Sequence, residues 1–226
     1  MVKNSKKLML AVFDMAGTTV DDNINGVPLV LKSYDDAFRE YGVILTMDVL
    51  NEQRGRDKRT VIEEFGGEKA PKIYDFFVNS LLSNTQYVKE MSGSGEIFQF
   101  LKDSEVKIAV STGFPYTVAD SIVKHLRWEE KGLIDYWTCS ESVGVSRPNP
   151  AMIFEAMKLF EIQDPLRVVK VDDTAKGIEE GLRAGVITIG VLTGTQSRKR
   201  LQAANPTDII QSVSDLPIYL KEKDHL

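Results

Sequence analysis

Five stretches of this chain are continuously apolar or nearly so and rich in β-branched residues: 8–13, 106–110, 134–138, 167–171 and 186–191. Each reads as a strand buried on both faces. Between them apolar positions recur at helical spacing, as in Val118, Ile122, Val123 and Leu126, or Ile153, Met157 and Phe160. Strand alternating with helix predicts an α/β fold, a Rossmann-like doubly wound parallel sheet. Gly132, Gly181 and Gly185 fall at or near the places where the helices are expected to end and the chain to turn back.

One interval breaks this rhythm. From Pro28 to about Tyr87 the periodicity is helical, with Val30, Tyr34, Ala37, Phe38 and Tyr41 on one face, and no buried strand is evident. The pattern predicts a small all-helical cap, residues 23–93, inserted into a core formed by 1–22 and 94–226. Its hinges are the polar stretch 21–26 and the glycine-serine stretch 91–95, both rich in turn formers and poor in apolar anchors.

Composition narrows the setting. The 226 residues are 42% hydrophobic and 27% charged, ordinary for a soluble globular chain, and every apolar run is far short of a membrane span. Lys3, Lys6 and Lys7 before the first apolar run imitate a signal peptide, but Asp14 interrupts that run, so the expected location is cytoplasmic. Cys139 is the single cysteine, which excludes an internal disulfide and points to a packed residue. A net charge of -5 argues against nucleic acid as a partner.

Chemistry-bearing residues cluster where the strands are expected to end. Asp14 closes the first apolar run, just before Gly17-Thr18-Thr19; the carboxyl ends of parallel strands are where open α/β sheets bind ligands, although such an Asp also caps turns. Ser111 and Thr112 follow the second strand, offering hydroxyls to a phosphoryl oxygen or simply opening a turn. Arg147 precedes the helix that Pro150 initiates, its fixed charge suited to a phosphoryl group or to solvent. Asp172 and Asp173 follow the fourth strand and suit a hard cation, unless one only caps the next helix.

Taken in order along the chain, Asp14, Ser111, Arg147 and Asp173 resemble the motifs of the haloacid dehalogenase superfamily, and the likeness covers nearly the whole chain, inserted cap included. The resemblance implies that Asp14 attacks phosphorus to form an aspartyl-phosphate. Ser111 (or Thr112, one residue on) and Arg147 would hold the phosphoryl group. Mg²⁺ would lie among Asp14, Ala16, Asp172 and Asp173.

Ala16 narrows the likeness. Most phosphatases of the superfamily carry a second Asp there to protonate the leaving oxygen. Asp-x-Ala-Gly-Thr with an arginine third motif instead resembles the phosphonoacetaldehyde hydrolase (phosphonatase) family, in which a cap lysine forms an imine with the substrate aldehyde before the C–P bond breaks. The family's Gly-x-x-Lys spacing falls on Gly55-Arg56-Asp57-Lys58, making Lys58 the implied second catalytic residue. Arg54, Arg56 and Arg59 are expected to lower its pKa and Asp57 to raise it. A basic helix face or a phosphate site would account for the same residues.

Several positions depart from that family. Arg54 stands where it has Met, Val61 where it has His, and 21–23 read Asp-Asp-Asn where it carries a cysteine. In the fourth motif, Gly-Asp-Thr-x-x-Asp, Asp172 replaces the glycine and Gly177 the final acid. His125 and Trp128 read as packing or surface residues. The first expectation is hydrolysis of a small carbonyl-bearing phosphonate. A phosphatase of a small ester such as phosphoglycolate, or a phosphate-binding protein without turnover, are the alternatives. The chain is expected to be a monomer, or a homodimer joined through exposed apolar residues of the cap.

Overall fold

The computed structural model describes residues 6–226, so Lys3 of the basic cluster lies outside the described residues. In chain order the elements are β1 (Leu10–Asp14), β2 (Val20–Asp21), β3 (Asn23–Ile24), β4 (Val27–Pro28), α1 (Leu29–Glu40), α2 (Met47–Glu52), α3 (Lys58–Gly66), α4 (Ala70–Asn84), β5 (Lys89–Glu90), α5 (Ser94–Asp103) and β6 (Lys107–Thr112). There follow α6 (Tyr116–Leu126), β7 (Tyr136–Cys139), α7 (Ser140–Val143), α8 (Ala151–Leu159), β8 (Val168–Asp172), α9 (Ala175–Ala184), β9 (Ile187–Val191), α10 (Arg198–Ala203), β10 (Asp208–Ile210) and α11 (Leu216–Glu222). No helix among the described residues is long and apolar enough to cross a membrane.

Six strands form one parallel sheet in the order β10-β9-β8-β1-β6-β7. β1 is wholly buried, and its alternate residues serve different layers. Ala11 and Phe13 join the large apolar cluster with α5, α6 and α11, whereas Leu10 and Val12 join Ile153, Ala156 and Met157 of α8. Helices therefore cover both faces, which is why the strands read as unbroken apolar runs. β1 pairs with β8 on one side and β6 on the other, so Asp14 stands where the winding direction changes and a crevice opens.

Three details differ from the sequence reading. β10 joins the sheet edge through three residues, two half-buried and one exposed, too short and polar for an apolar-run criterion. The stretch 21–26 is more regular than a plain hinge: β3 and β4 form a hairpin turned by Asn25 and Gly26, both with positive φ, and β2 pairs antiparallel with β5. Gly181 lies inside α9 rather than at its end; a Cβ there would meet Thr188 Cγ2 at 2.4 Å, so the glycine lets α9 settle onto β8 and β9.

The interval between β4 and β5 is helical, as the periodicity predicts. α1 packs on α4 through Tyr34, stacked on Phe77 with ring centroids 4.5 Å apart, and Phe38 meets Phe65 edge-on. At its base the insertion touches α6, where Thr85 Oγ1 and Ser121 Oγ are 2.8 Å apart. At its tip the loop before α3 returns over the strand ends. Asp57 N donates to Ser146 Oγ at 3.0 Å, and a Cβ on Gly113 would lie 2.6 Å from the Arg56 carbonyl oxygen.

Candidate active site

Asp14 and Asp172 end β1 and β8, and Ser111 is the last residue but one of β6, all at one level: Asp14 pairs in register with Ser111, and Asp172 follows the residue paired with Phe13. Arg147 reaches this point from the loop before α8 and is 3% exposed. Its Nη1 donates to Asp14 Oδ1 at 2.6 Å, Nη2 to Ser111 Oγ at 2.9 Å and to the Ser111 carbonyl at 3.0 Å, and Nε to Glu180 Oε2 at 2.9 Å. A planar guanidinium with donors in a fixed fork can satisfy these partners at once, which an ammonium could not.

Lys170 and Glu180 escaped the sequence reading. Lys170 sits mid-strand in β8, completely buried, with Nζ 3.0 Å from Ser111 Oγ and 3.1 Å from Asp172 Oδ2. Glu180 of α9 closes the circuit with Arg147 and, at 3.7 Å, Lys170. A lone lysine inside a Val-rich strand was the available signal, because a fully buried lysine needs a partner.

One oxygen each from Asp14, Asp172 and Asp173 lies within 4.8 Å of the others, a donor set of the kind a hard cation takes. Asp172 Oδ2 and Asp173 Oδ2 are buried without a hydrogen bond among the described residues. Burial is the largest influence on all three acids. Burial, reinforced by Asp172, raises the Asp14 pKa against the pull of Arg147 and Lys170. Burial pushes Asp173 up to about 8, opposed by Arg54 and reinforced by Asp14 and Asp172. The Asp172 pKa is lowered, since Lys170 and Arg147 outweigh its burial. The Asp173 carboxylate lies in a cradle of glycines: a Cβ on Gly194 would meet Oδ2 at 1.8 Å and one on Gly17 at 2.6 Å. Thr18 Oγ1 donates to Asp173 Oδ1 at 3.2 Å, and crowded acids with buried oxygens that lack a hydrogen bond among the described residues fit a divalent cation.

Lys58 opens α3, one residue after Asp57, whose carboxylate caps that helix through Thr60 N. It is 5% exposed, donates to the Arg56 carbonyl at 3.0 Å and faces Phe114. Burial first, then Arg54 and Arg147, lower its pKa to about 8, against Asp14 and Asp57. Arg54 acts as the sequence suggests. Arg56 and Arg59 do not: they turn away to Glu64, at 2.6 Å, and to the Tyr74 ring, at 3.9 Å.

Lys58, Asp14, Ala16, Arg54, Thr112 and Arg147 line one cavity of about 20 Å³, room for little more than a water-sized body. Ser111 lies beneath, its hydroxyl held by Arg147 and Lys170, while Thr112 Oγ1 accepts from Phe114 N at 3.1 Å. The Ala16 carbonyl accepts from Arg54 Nη2 at 3.0 Å, and the same guanidinium nitrogen lies 3.8 Å from Asp22 and 3.9 Å from Asp173. The insertion thus places a permanent cation beside the acids, a role that sequence spacing did not reveal. Trp128 is a packing residue whose indole donates to Glu90 at 2.7 Å, and His125 is an exposed residue with Nε2 3.2 Å from the Val88 carbonyl.

Residues 11–191 match the family model described as haloacid dehalogenase-like hydrolase. The chain is 30% identical to the phosphonoacetaldehyde hydrolase of Bordetella pertussis, over 96% of this chain and 92% of that protein. Among solved structures it resembles a phosphonoacetaldehyde hydrolase-like protein from Oleispira antarctica, with a TM-score of 0.84, 22% identity, and coverage of 99% and 96%. A predicted phosphoglycolate phosphatase from Haemophilus somnus superposes with a TM-score of 0.80 at 17% identity, covering 94% and 97%.

Proposed function

The chain belongs to the haloacid dehalogenase-like hydrolases, and from that premise we propose that it cleaves the C–P bond of a small phosphonate bearing an aldehyde or ketone, with phosphonoacetaldehyde as the model substrate. The observation that carries this reading is that Lys58, with its pKa at about 8, and Asp14 line one cavity while position 16 offers no acid.

In this reading the neutral Lys58 amine adds to the substrate carbonyl, and the adduct takes up a proton from solvent and loses water, leaving an iminium. Asp14 attacks phosphorus, the C–P bond breaks, and its electron pair passes into the iminium to give an enamine. No leaving oxygen needs a proton, so Ala16 is tolerated at that step. Arg147, with the hydroxyls of Ser111 and Thr112, holds the phosphoryl oxygens and keeps Asp14 oriented. Mg²⁺, when bound at Asp14, Asp172, Asp173 and the Ala16 carbonyl, would supply positive charge to the phosphoryl group and the crowded carboxylates. Water then hydrolyses the aspartyl-phosphate, and a second water releases the aldehyde from Lys58.

Residues 23–93 act as a cap in this proposal, swinging on the β2–β5 ribbon, since a 20 Å³ cavity cannot admit substrate without opening. The test is phosphate release with Mg²⁺ present, from phosphonoacetaldehyde and, in parallel, from phosphoglycolate. Release from the phosphonate supports the proposal. Release only from the ester makes the chain a phosphomonoesterase, and release from neither removes the catalytic reading.

A further inference from the structure

Arg54, Lys58 and Arg147 line the cavity beside Asp14, and two of these cations have work assigned. Arg147 spends its guanidinium on Asp14, Ser111 and Glu180, and Lys58 is the amine that meets the substrate carbonyl. Arg54 is 3% exposed, yet its guanidinium makes one hydrogen bond among the described residues, from Nη2 to the Ala16 carbonyl, and Nη1 is buried without a partner. Its nearest carboxylates, Asp22 at 3.8 Å and Asp173 at 3.9 Å, stand beyond hydrogen-bond distance of Nη2. A guanidinium does not shed its charge, so a buried nitrogen without an acceptor is costly. We propose that Arg54 is a specificity residue that binds a carboxylate of the substrate, which makes the phosphonate a 2-oxo acid whose carboxylate sits on the carbon that Lys58 attacks. The inference rests on the C–P cleavage reading and narrows its substrate class.

Arg54 and Lys58 are the two ends of one loop, and that loop is pressed onto the strand ends. Gly55 has φ +83°, and a Cβ there would meet Thr174 Oγ1 at 2.5 Å, while Asp57 N donates to Ser146 Oγ at 3.0 Å. The insertion therefore brings both side chains to the cavity together, opposite Asp14 and Arg147. A substrate with its phosphoryl group at Asp14 and its carbonyl carbon at Lys58 carries its next substituent among the remaining lining side chains. Of these, Val30 and Phe114 are apolar, and the Thr174 hydroxyl donates to Asp172. An aldehyde would place only a hydrogen there and leave Nη1 unpaired, whereas a carboxylate offers two acceptors to the fork. The covalent steps are those of the functional proposal. The C–P bond breaks, its electron pair is held in the enamine and then takes a proton from solvent, and phosphorus passes to Asp14 and on to water. For the simplest such substrate, 3-phosphonopyruvate, the net reaction consumes one water and yields phosphate and pyruvate.

The test is phosphate release, with Mg²⁺ present, from 3-phosphonopyruvate, from 2-oxopropylphosphonate, which is the same ketone with a methyl in place of the carboxylate, and from phosphonoacetaldehyde. The wild-type chain, Arg54→Met and Arg54→Lys are compared. In the wild type, kcat/KM for the 2-oxo acid is expected to exceed that for the methyl ketone by roughly 10–100-fold, the range for hydrogen bonds to a charged group. Arg54→Met is expected to abolish that ratio, chiefly by raising KM for the acid, and Arg54→Lys, which keeps the charge without the fork, to fall between. A residue that only supports the loop would lower turnover of both ketones alike and leave the ratio as it was. An unchanged ratio in Arg54→Met overturns the inference, as does a wild-type ratio of one or less; cleavage of any of the three phosphonates then still leaves the functional proposal standing. Phosphate from none of the three rejects that proposal and this inference with it. If Arg54→Met does not fold, the wild-type ratio and Arg54→Lys decide.

Discussion

Arg147 Nη1 lies 2.6 Å from Asp14 Oδ1, and both side chains are almost completely buried. The proposed nucleophile is therefore held by a cation that is itself anchored to Ser111 and Glu180. Removing one partner from a buried network strands the other charges. Arg147→Met is expected to lower stability by about 3–5 kcal/mol, read from denaturant unfolding. Arg147→Lys keeps the charge but not the fork, so it should fold while losing most turnover. Equal turnover in the two enzymes would remove the geometric role assigned to Arg147.

Lys58 gives the opposite kind of prediction, because burial disfavours its charged form. Its folded pKa of about 8 lies below the ordinary 10.5, so protonated Lys58 costs the fold about 3 kcal/mol below pH 8. That cost fades as pH rises from 8 to 10.5 and is absent above. Lys58→Met should consequently melt higher than wild type at pH 7, with the difference shrinking toward pH 10.5, while phosphonate turnover is lost. A Lys58→Met protein less stable than wild type at pH 7 would show the lysine to be a structural residue.

Gly113 makes the seam between insertion and strand ends possible, since a Cβ would meet the Arg56 carbonyl at 2.6 Å. Gly113→Ala should hold the insertion a few tenths of an ångström or more off the core. Displacement on the ångström scale can cost up to about 10²-fold in rate, so kcat should fall, with little change in melting temperature. Wild-type kcat in this variant would show that closure at this seam does not matter.

Ala16 tests the missing acid. A carboxyl introduced by Ala16→Asp would enter beside Arg54 Nη2, which already binds the Ala16 carbonyl. Phosphate-ester hydrolysis should rise by up to about 10²–10⁴-fold, the usual contribution of a general acid. Phosphonate cleavage should not rise with it. A parallel gain on both substrates would contradict the enamine leaving group.

The strands, the two-faced sheet and the helical insertion were legible because burial on both faces writes continuous apolar runs and helices write a 3.6 period. Asp14, Asp172 and Asp173 were legible because strand ends can be read along the chain, and Arg147 because it precedes a helix that Pro150 announces. Lys170 and Glu180 were not, since their roles come from lateral neighbours across β8 and α9 that no local pattern encodes. β10 was too short and too exposed to show itself. The fall in the Lys58 pKa is expected from neighbouring arginines, yet its largest cause is burial, and of those three arginines Arg54 is the main contributor. Gly181 looked like a helix end because glycine commonly is one. Here it meets the demands of close packing against Thr188.

C–P cleavage by this route depends on the imine at Lys58. With phosphonoacetaldehyde and borohydride present, followed by proteolysis and mass spectrometry, the account predicts a reduced adduct on the peptide carrying Lys58. Trapping should rise roughly 50-fold between pH 6 and pH 8 as the amine loses its proton, and should be absent from Lys58→Met. Phosphate release from the phosphonate with no adduct at Lys58 at any pH would contradict it.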